Sequence, residues 1–154
     1  IEVQVPFIKH LFPDAKIVPI MVPPFEGAVK VGEYIAKLAK DKNLLVLGST
    51  DMTHYGSRFN FNPAGTGEKA LKWVKEVNDK RLIDLILELK ADKIVKEATQ
   101  NASACGAGAI TATVSYAKAM GSQLGTLLEH TTSCEILPAK SIDTFVSYAS
   151  FIFQ

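Results

Sequence analysis

Near the start of this chain two apolar runs bracket an amphipathic one, and that arrangement restricts the fold more than any other feature. Lys16–Val22 (KIVPIMV) is short, apolar and β-branched, so it reads as a buried strand. Pro19 within it points to an edge position or a bulge. Glu26–Lys40 then sets Val29, Ile35, Leu38 and Ala39 against lysines on the opposite side, the pattern of a surface helix. Asn43–Ser49 (NLLVLGS) is a second apolar run. Strand, helix and strand in this order make a βαβ unit, which predicts parallel strands and a right-handed crossover. The expected class is therefore α/β, with a mostly parallel sheet flanked by helices.

The remaining segments fit one α/β domain over residues 1–154, with no repeat, linker or low-complexity tract. Ile1, Val5, Ile8 and Leu11 fall at helical spacing, and Pro13-Asp14 ends that first helix. No capping residue precedes it and Ile1 is not an initiator Met, so the pattern opens in mid-element and an upstream segment is expected. Residues 50–67 read as a long loop, and loops of that length are often functional. Helices are predicted over Glu68–Asn78, from Asp79 as an N-cap, over Ala91–Gln100 and over Ile110–Met120, where Gly121 stops the last. Leu124–Thr132 and Thr144–Phe153 read as strands.

Composition excludes several classes. Lys and Arg number 17 against 16 Asp and Glu, and a net charge of +1 gives no basic field for nucleic acid. No run of 18 apolar residues exists to span a membrane, and Ile1–Val5 lacks the pattern of a signal peptide. Two cysteines are too few for a disulfide framework, so a reducing, cytoplasmic setting is expected.

The chemistry concentrates where Asn43–Ser49 ends, because open α/β sheets bind ligands at the carboxyl ends of their strands. Ser49-Thr50-Asp51-Met52-Thr53-His54-Tyr55-Gly56 follows at once. Asp51 and His54, three apart, share a face if the loop begins with a helical turn. A carboxylate then fixes the imidazole tautomer and raises its basicity, which suits a general base or a metal ligand. The plainer alternative is that Asp51 caps a turn and His54 is solvated. Tyr55 and Arg58 are expected to line a substrate cleft, though Arg58 could equally pair with a surface acid. Cys105 precedes a helix in NASACGAG, where the positive helix end favours a thiolate; a buried inert thiol is the alternative. Cys134 and His10 read as structural and surface residues. The lysines near Glu68–Asp84 read as a solvated flank.

I-E-V-Q-V-P-F (Ile1–Phe7), K-I-V-P-I (Lys16–Ile20), S-T-D-M-T-H-Y-G (Ser49–Gly56), A-C-G (Ala104–Gly106) and V-S-Y-A-S (Val146–Ser150) occur in one order. In this the chain resembles the Memo family, also called AmmeMemoRadiSam system protein B. The resemblance implies a fold similar to class III extradiol dioxygenases of the LigB type. It implies a metal site of two histidines from the N-terminal half and a cysteine that aligns with Cys105, with His54 as an acid/base beside the metal and Asp51 as its partner. It also implies iron or copper, oxidative chemistry, a cytoplasmic location, and alternatively a non-catalytic adaptor that engages phosphotyrosine peptides. The family is nearly twice this length. The resemblance is to its C-terminal half, so the ligand histidines are expected from a missing N-terminal half, in the same or a separate chain. His130 and Cys134 depart from the family pattern at Tyr-x-x-Ser-x-Asp, which would alter the pocket wall or offer replacement ligands.

Overall fold

Small side chains decide how the helices meet. The computed structural model describes residues 1–137 and 141–154. Its elements in order are α1 (Val5–Leu11), α2 (Ala28–Ala39), β1 (His54–Gly56), α3 (Glu68–Trp73), α4 (Asp79–Leu87), α5 (Ala91–Asn101), α6 (Ala107–Ala119), β2 (Gly125–Thr132), α7 (Ser133–Ile136) and β3 (Thr144–Phe153). α6 reads AGAITATVSYAKA, and its small residues let other backbones come close. A methyl group on Gly32 of α2 would overlap the Ala112 carbonyl, and one on Gly108 would overlap the carbonyls of Val22 and Pro23. α2 and the end of the first apolar run therefore lie directly on α6.

The main core lies between α4, α5, α6 and one face of the sheet. Leu82, Ile86, Ile94 and Val114 are essentially inaccessible, with Leu127, Ala149, Phe151 and Phe153 packed against them. Each such side chain contributes about 1.5–3 kcal/mol through burial. A smaller core joins Tyr55, Ala70, Val74 and Phe145.

The chain is α/β, as expected, but the sheet it builds is small and antiparallel, in the order β1-β3-β2. This corrects the expectation of a mostly parallel sheet. Lys16–Val22 and Asn43–Ser49 adopt no strand and enter no ladder among the described residues. Parallel strands are stable when covered on both faces, whereas here Val18 is 79% exposed, Met21 89% and Leu45 78%. The helix expected between them does form, as α2.

Two local irregularities set the site. β2 carries a bulge between Leu127 and Glu129, so Leu128 points outward and the inward alternation resumes one residue later. That slip turns His130 and Thr132 toward the interior. Residues Val74–Asn78 form a π-helical turn that joins α3 to α4 without a break. Asp79 is therefore not an N-cap: its side chain makes no cap bond and is fully buried.

Candidate metal centre

Backbone pairing to β3 positions the loaded segment. The Met52 N–H donates to the Ser147 carbonyl at 3.1 Å, and the Ser147 N–H donates to the Thr53 carbonyl at 3.0 Å. His54 then pairs with Val146 in β1. Asp51 and His54 thus flank two residues held in the ladder, rather than sharing a helical turn. Even so, Asp51 Oδ2 lies 3.2 Å from His54 Nε2. The Phe59 ring, 4.8 Å from the imidazole between centroids, backs the histidine.

Cys105 arrives from the connection between α5 and α6. Its backbone N–H donates to the Asp51 carbonyl at 3.4 Å. Its sulfur is exposed and lies 3.3 Å from Thr50 Oγ1. The ligand atoms of Asp51, His54 and Cys105 all fall within 4.8 Å of one another. With metal–ligand bonds of about 2.0–2.3 Å, neighbouring donors around one ion sit roughly 3–4 Å apart. An oxygen, a nitrogen and a sulfur converging this closely fit one metal ion after small side-chain rotations. No other such group exists among the described residues.

A buried polar peg holds the segment from behind. Thr53 points away from the cluster, and its hydroxyl donates to Asp79 Oδ1 at 2.5 Å. Asn78 Nδ2 donates to Thr53 Oγ1 and to the Asn101 carbonyl, both at 3.0 Å. His130 Nε2 meets Asp79 Oδ2 at 2.8 Å. Tyr148 stands on the outer side of β3, where partial burial and then the negative charge of Asp51 raise its phenol above the usual tyrosine range.

Several expected residues lie elsewhere. Tyr55 does not line a cleft: it is wholly buried and stacks on Phe145 at 5.1 Å. Its hydroxyl donates to the Gly65 carbonyl at 3.0 Å and accepts from the Ala64 N–H at 2.9 Å. A tyrosine beside a polar motif misleads because its ring is large enough to anchor a core. Arg58 is exposed on the turn after β1 and makes no side-chain hydrogen bond or ion pair among the described residues. His130 and Cys134 do not join the donor cluster: His130 meets Asp79, and the Cys134 sulfur lies beside Thr132 Oγ1 at 3.2 Å. His10 is exposed. Lys72 with Glu76 and Lys80 with Asp84 form the solvated flank. A cleft of about 650 Å³ lined by Leu45, Leu47, Ser49, Thr50, Met52 and Thr113 runs beside the centre but does not include its three donors.

Sequence reasoning missed Thr50, Phe59, Asp79 and Tyr148. Tyr148 alternates with Val146, whose register partner is His54, but that register is set by long-range pairing and leaves no signal in the sequence. Asp79 gave none beyond its type, because its partners come from 26 and 51 residues away.

Fold and site together define an α/β protein with a sulfur, nitrogen and oxygen donor cluster beside a small sheet. The chain belongs to the Memo-like family, whose description, Memo-like protein, matches residues 1–152. It is similar to MEMO1 family proteins of Methanococcus maripaludis (36% identity, covering 99% of this chain and 51% of the relative) and Methanocaldococcus jannaschii (35%, covering 100% and 51%). A relative in Pyrococcus furiosus is 31% identical over 100% of this chain and 55% of its own length. The chain thus spans about half the length of the curated relatives it matches. No helix among the described residues is long and apolar enough to cross a membrane.

Proposed function

We propose that this chain contributes a metal-binding half-site to a Memo-like protein with redox chemistry of the extradiol-dioxygenase kind, using iron or copper. The convergence of Asp51, His54 and Cys105 within 4.8 Å carries the reading. In it Cys105 is the thiolate ligand, a soft donor suited to these metals. Asp51 holds His54 through Nε2, so the imidazole can take and return a proton beside the ion. Phe59 limits rotation of that ring. The bound ion would supply redox chemistry and Lewis acidity.

The remaining ligands come from a second component, the half of the family's length that this chain lacks, on the same or a separate polypeptide. Two observations support it. The chain covers 51–55% of its relatives. Its two strand-like apolar runs leave Val18, Ile20, Met21, Leu45 and Leu47 more than half exposed, and exposed apolar surface of this kind suits an interaction site. Strands added along these runs would give the parallel, LigB-like sheet that the antiparallel one does not supply. A cytoplasmic setting suits a free thiol at the centre.

The test is titration of Fe(II) and Cu(I) under anaerobic conditions, with and without Cys105→Ser. Binding that the substitution leaves unchanged removes Cys105 from the ligand set. A second reading, capture of a phosphotyrosine peptide by the same region, rests on the exposed Arg58, unpaired among the described residues. Metal-independent phosphopeptide binding lost on Arg58→Ala would favour it.

A further inference from the structure

We propose that Thr50 is a positioning residue for the Cys105 sulfur, donating a hydrogen bond to it when it acts as a metal thiolate, and that this contact requires glycine at 106. The inference rests on the metal reading above and goes beyond the three residues it uses.

Thr50 Oγ1 lies 3.3 Å from Cys105 Sγ and 3.2 Å from the Asp51 carbonyl. The same carbonyl accepts the Cys105 backbone N–H at 3.4 Å and lies 3.8 Å from the cysteine sulfur. In the thiol form the sulfur has its own proton to give. A metal-bound sulfur has none and can only accept. The one proton of the Thr50 hydroxyl can then turn to sulfur. The Asp51 carbonyl is not stranded by that turn, because it keeps the Cys105 N–H. The contact therefore completes itself on metal binding without leaving a polar group unpaired.

Gly106 fits this arrangement. A methyl group there would overlap Thr50 Oγ1 and come within 2.8 Å of Thr50 Cβ. Both atoms lie at the branch of a short, stiff side chain, which cannot swing aside without giving up the sulfur. Any side chain at 106 separates the hydroxyl from the thiolate. Thr50 also sits between the apolar run ending at Ser49 and Asp51, so it links the backbone that carries the His54 partner to the sulfur of Cys105.

The experiment uses Co(II) as the probe in the full chain carrying Cys134→Ser, which leaves Cys105 as the one thiol. Anaerobic titration of this parent is expected to give a near-ultraviolet sulfur-to-cobalt charge-transfer band. Thr50→Val should move that band to lower energy, since an unbonded sulfur holds its electrons less tightly. It should also weaken Co(II) binding about 10- to 100-fold, as losses of outer hydrogen bonds to metal ligands do. Thr50→Ser should keep the parent's band and affinity, and Gly106→Ala should behave as Thr50→Val. Raman spectra of the metal-free proteins add a readout that needs no ion: the S–H stretch should shift in Thr50→Val and not in Thr50→Ser. A parent band that Thr50→Val leaves in place with unchanged affinity overturns this inference and spares the metal reading. Absence of any thiolate band in the parent overturns the metal reading and the role of Thr50 with it.

Discussion

The buried pair behind the centre gives the sharpest quantitative expectation. Asp79 is fully buried, and its two carboxylate oxygens are shared between the Thr53 hydroxyl at 2.5 Å and His130 Nε2 at 2.8 Å. His130→Leu keeps most of the ring's volume, so the cavity term is small. What remains is a buried carboxylate oxygen stripped of its partner. Leaving a buried acceptor without its partner costs about 1–3 kcal/mol. With a urea slope of about 2 kcal/mol/M for a chain of this size, the unfolding midpoint should fall by about 0.5–1.5 M. The assay is equilibrium urea unfolding at pH 7, followed by far-ultraviolet circular dichroism and by fluorescence of Trp73, the single tryptophan. The slope should stay constant. Adding Asp79→Asn to His130→Leu removes the stranded charge and should recover at least about 1 kcal/mol, a coupling expected of residues in contact. A midpoint for His130→Leu within about 0.3 M of wild type, on the same slope scale, would refute the claim that the carboxylate depends on the imidazole. No recovery in the double variant would refute the claim that its charge is the reason.

Other expectations follow from the same contacts. Tyr55→Phe strips the Ala64 N–H of its acceptor and should cost about 1–3 kcal/mol in urea unfolding, while leaving Fe(II) affinity unchanged; a large loss of affinity would restore Tyr55 to the site. Gly32→Ala drives a methyl into the Ala112 carbonyl and should destabilise by about 1–3 kcal/mol as an overpacked contact, read as a lower thermal midpoint. Glu135 is partly buried, which raises its carboxyl, but hydrogen bonds from Lys75 at 2.6 Å and Thr132 at 2.9 Å outweigh that and hold it below the ordinary 4.5. A lowered folded-state value means that its contribution is present above pH 4.5 and is lost as pH falls through the folded value. Lys75→Met should therefore flatten the acid limb of the stability curve below pH 4.5, by less than about 1 kcal/mol because both side chains are about a third exposed; an unchanged acid limb would deny the pair any role.

What the sequence makes legible and what it hides divide along physical lines. Helices α2 and α5 follow from periodicity, because each has one face that must be buried and the spacing records it, and strands β2 and β3 follow from their β-forming composition. The donors of the centre were legible as residue types, and Cys105 and His54 do meet. Their meeting depends on the pairing of Met52 and Thr53 with Ser147, nearly a hundred residues away, which no local pattern encodes. The turning of His130 inward depends on a one-residue bulge at Leu128, and a period-2 reading of β2 would send it outward. The π turn at Val74–Asn78 similarly brings Asn78 and Asp79 to Thr53 where a capping rule saw a helix start. Lys16–Val22 and Asn43–Ser49 are the opposite case. Their composition asks for cover on both faces, and α6 supplies one side alone, through Gly108 to Val22 and Pro23 and through Thr113, whose hydroxyl a methyl on Gly48 would strike. The antiparallel sheet therefore does not account for the pattern in those runs. The same stretch of backbone runs from Asn43 through Thr50 to Asp51. On the half-site proposal, a component covering the apolar runs would come to rest beside the donor cluster, where a further ligand would enter.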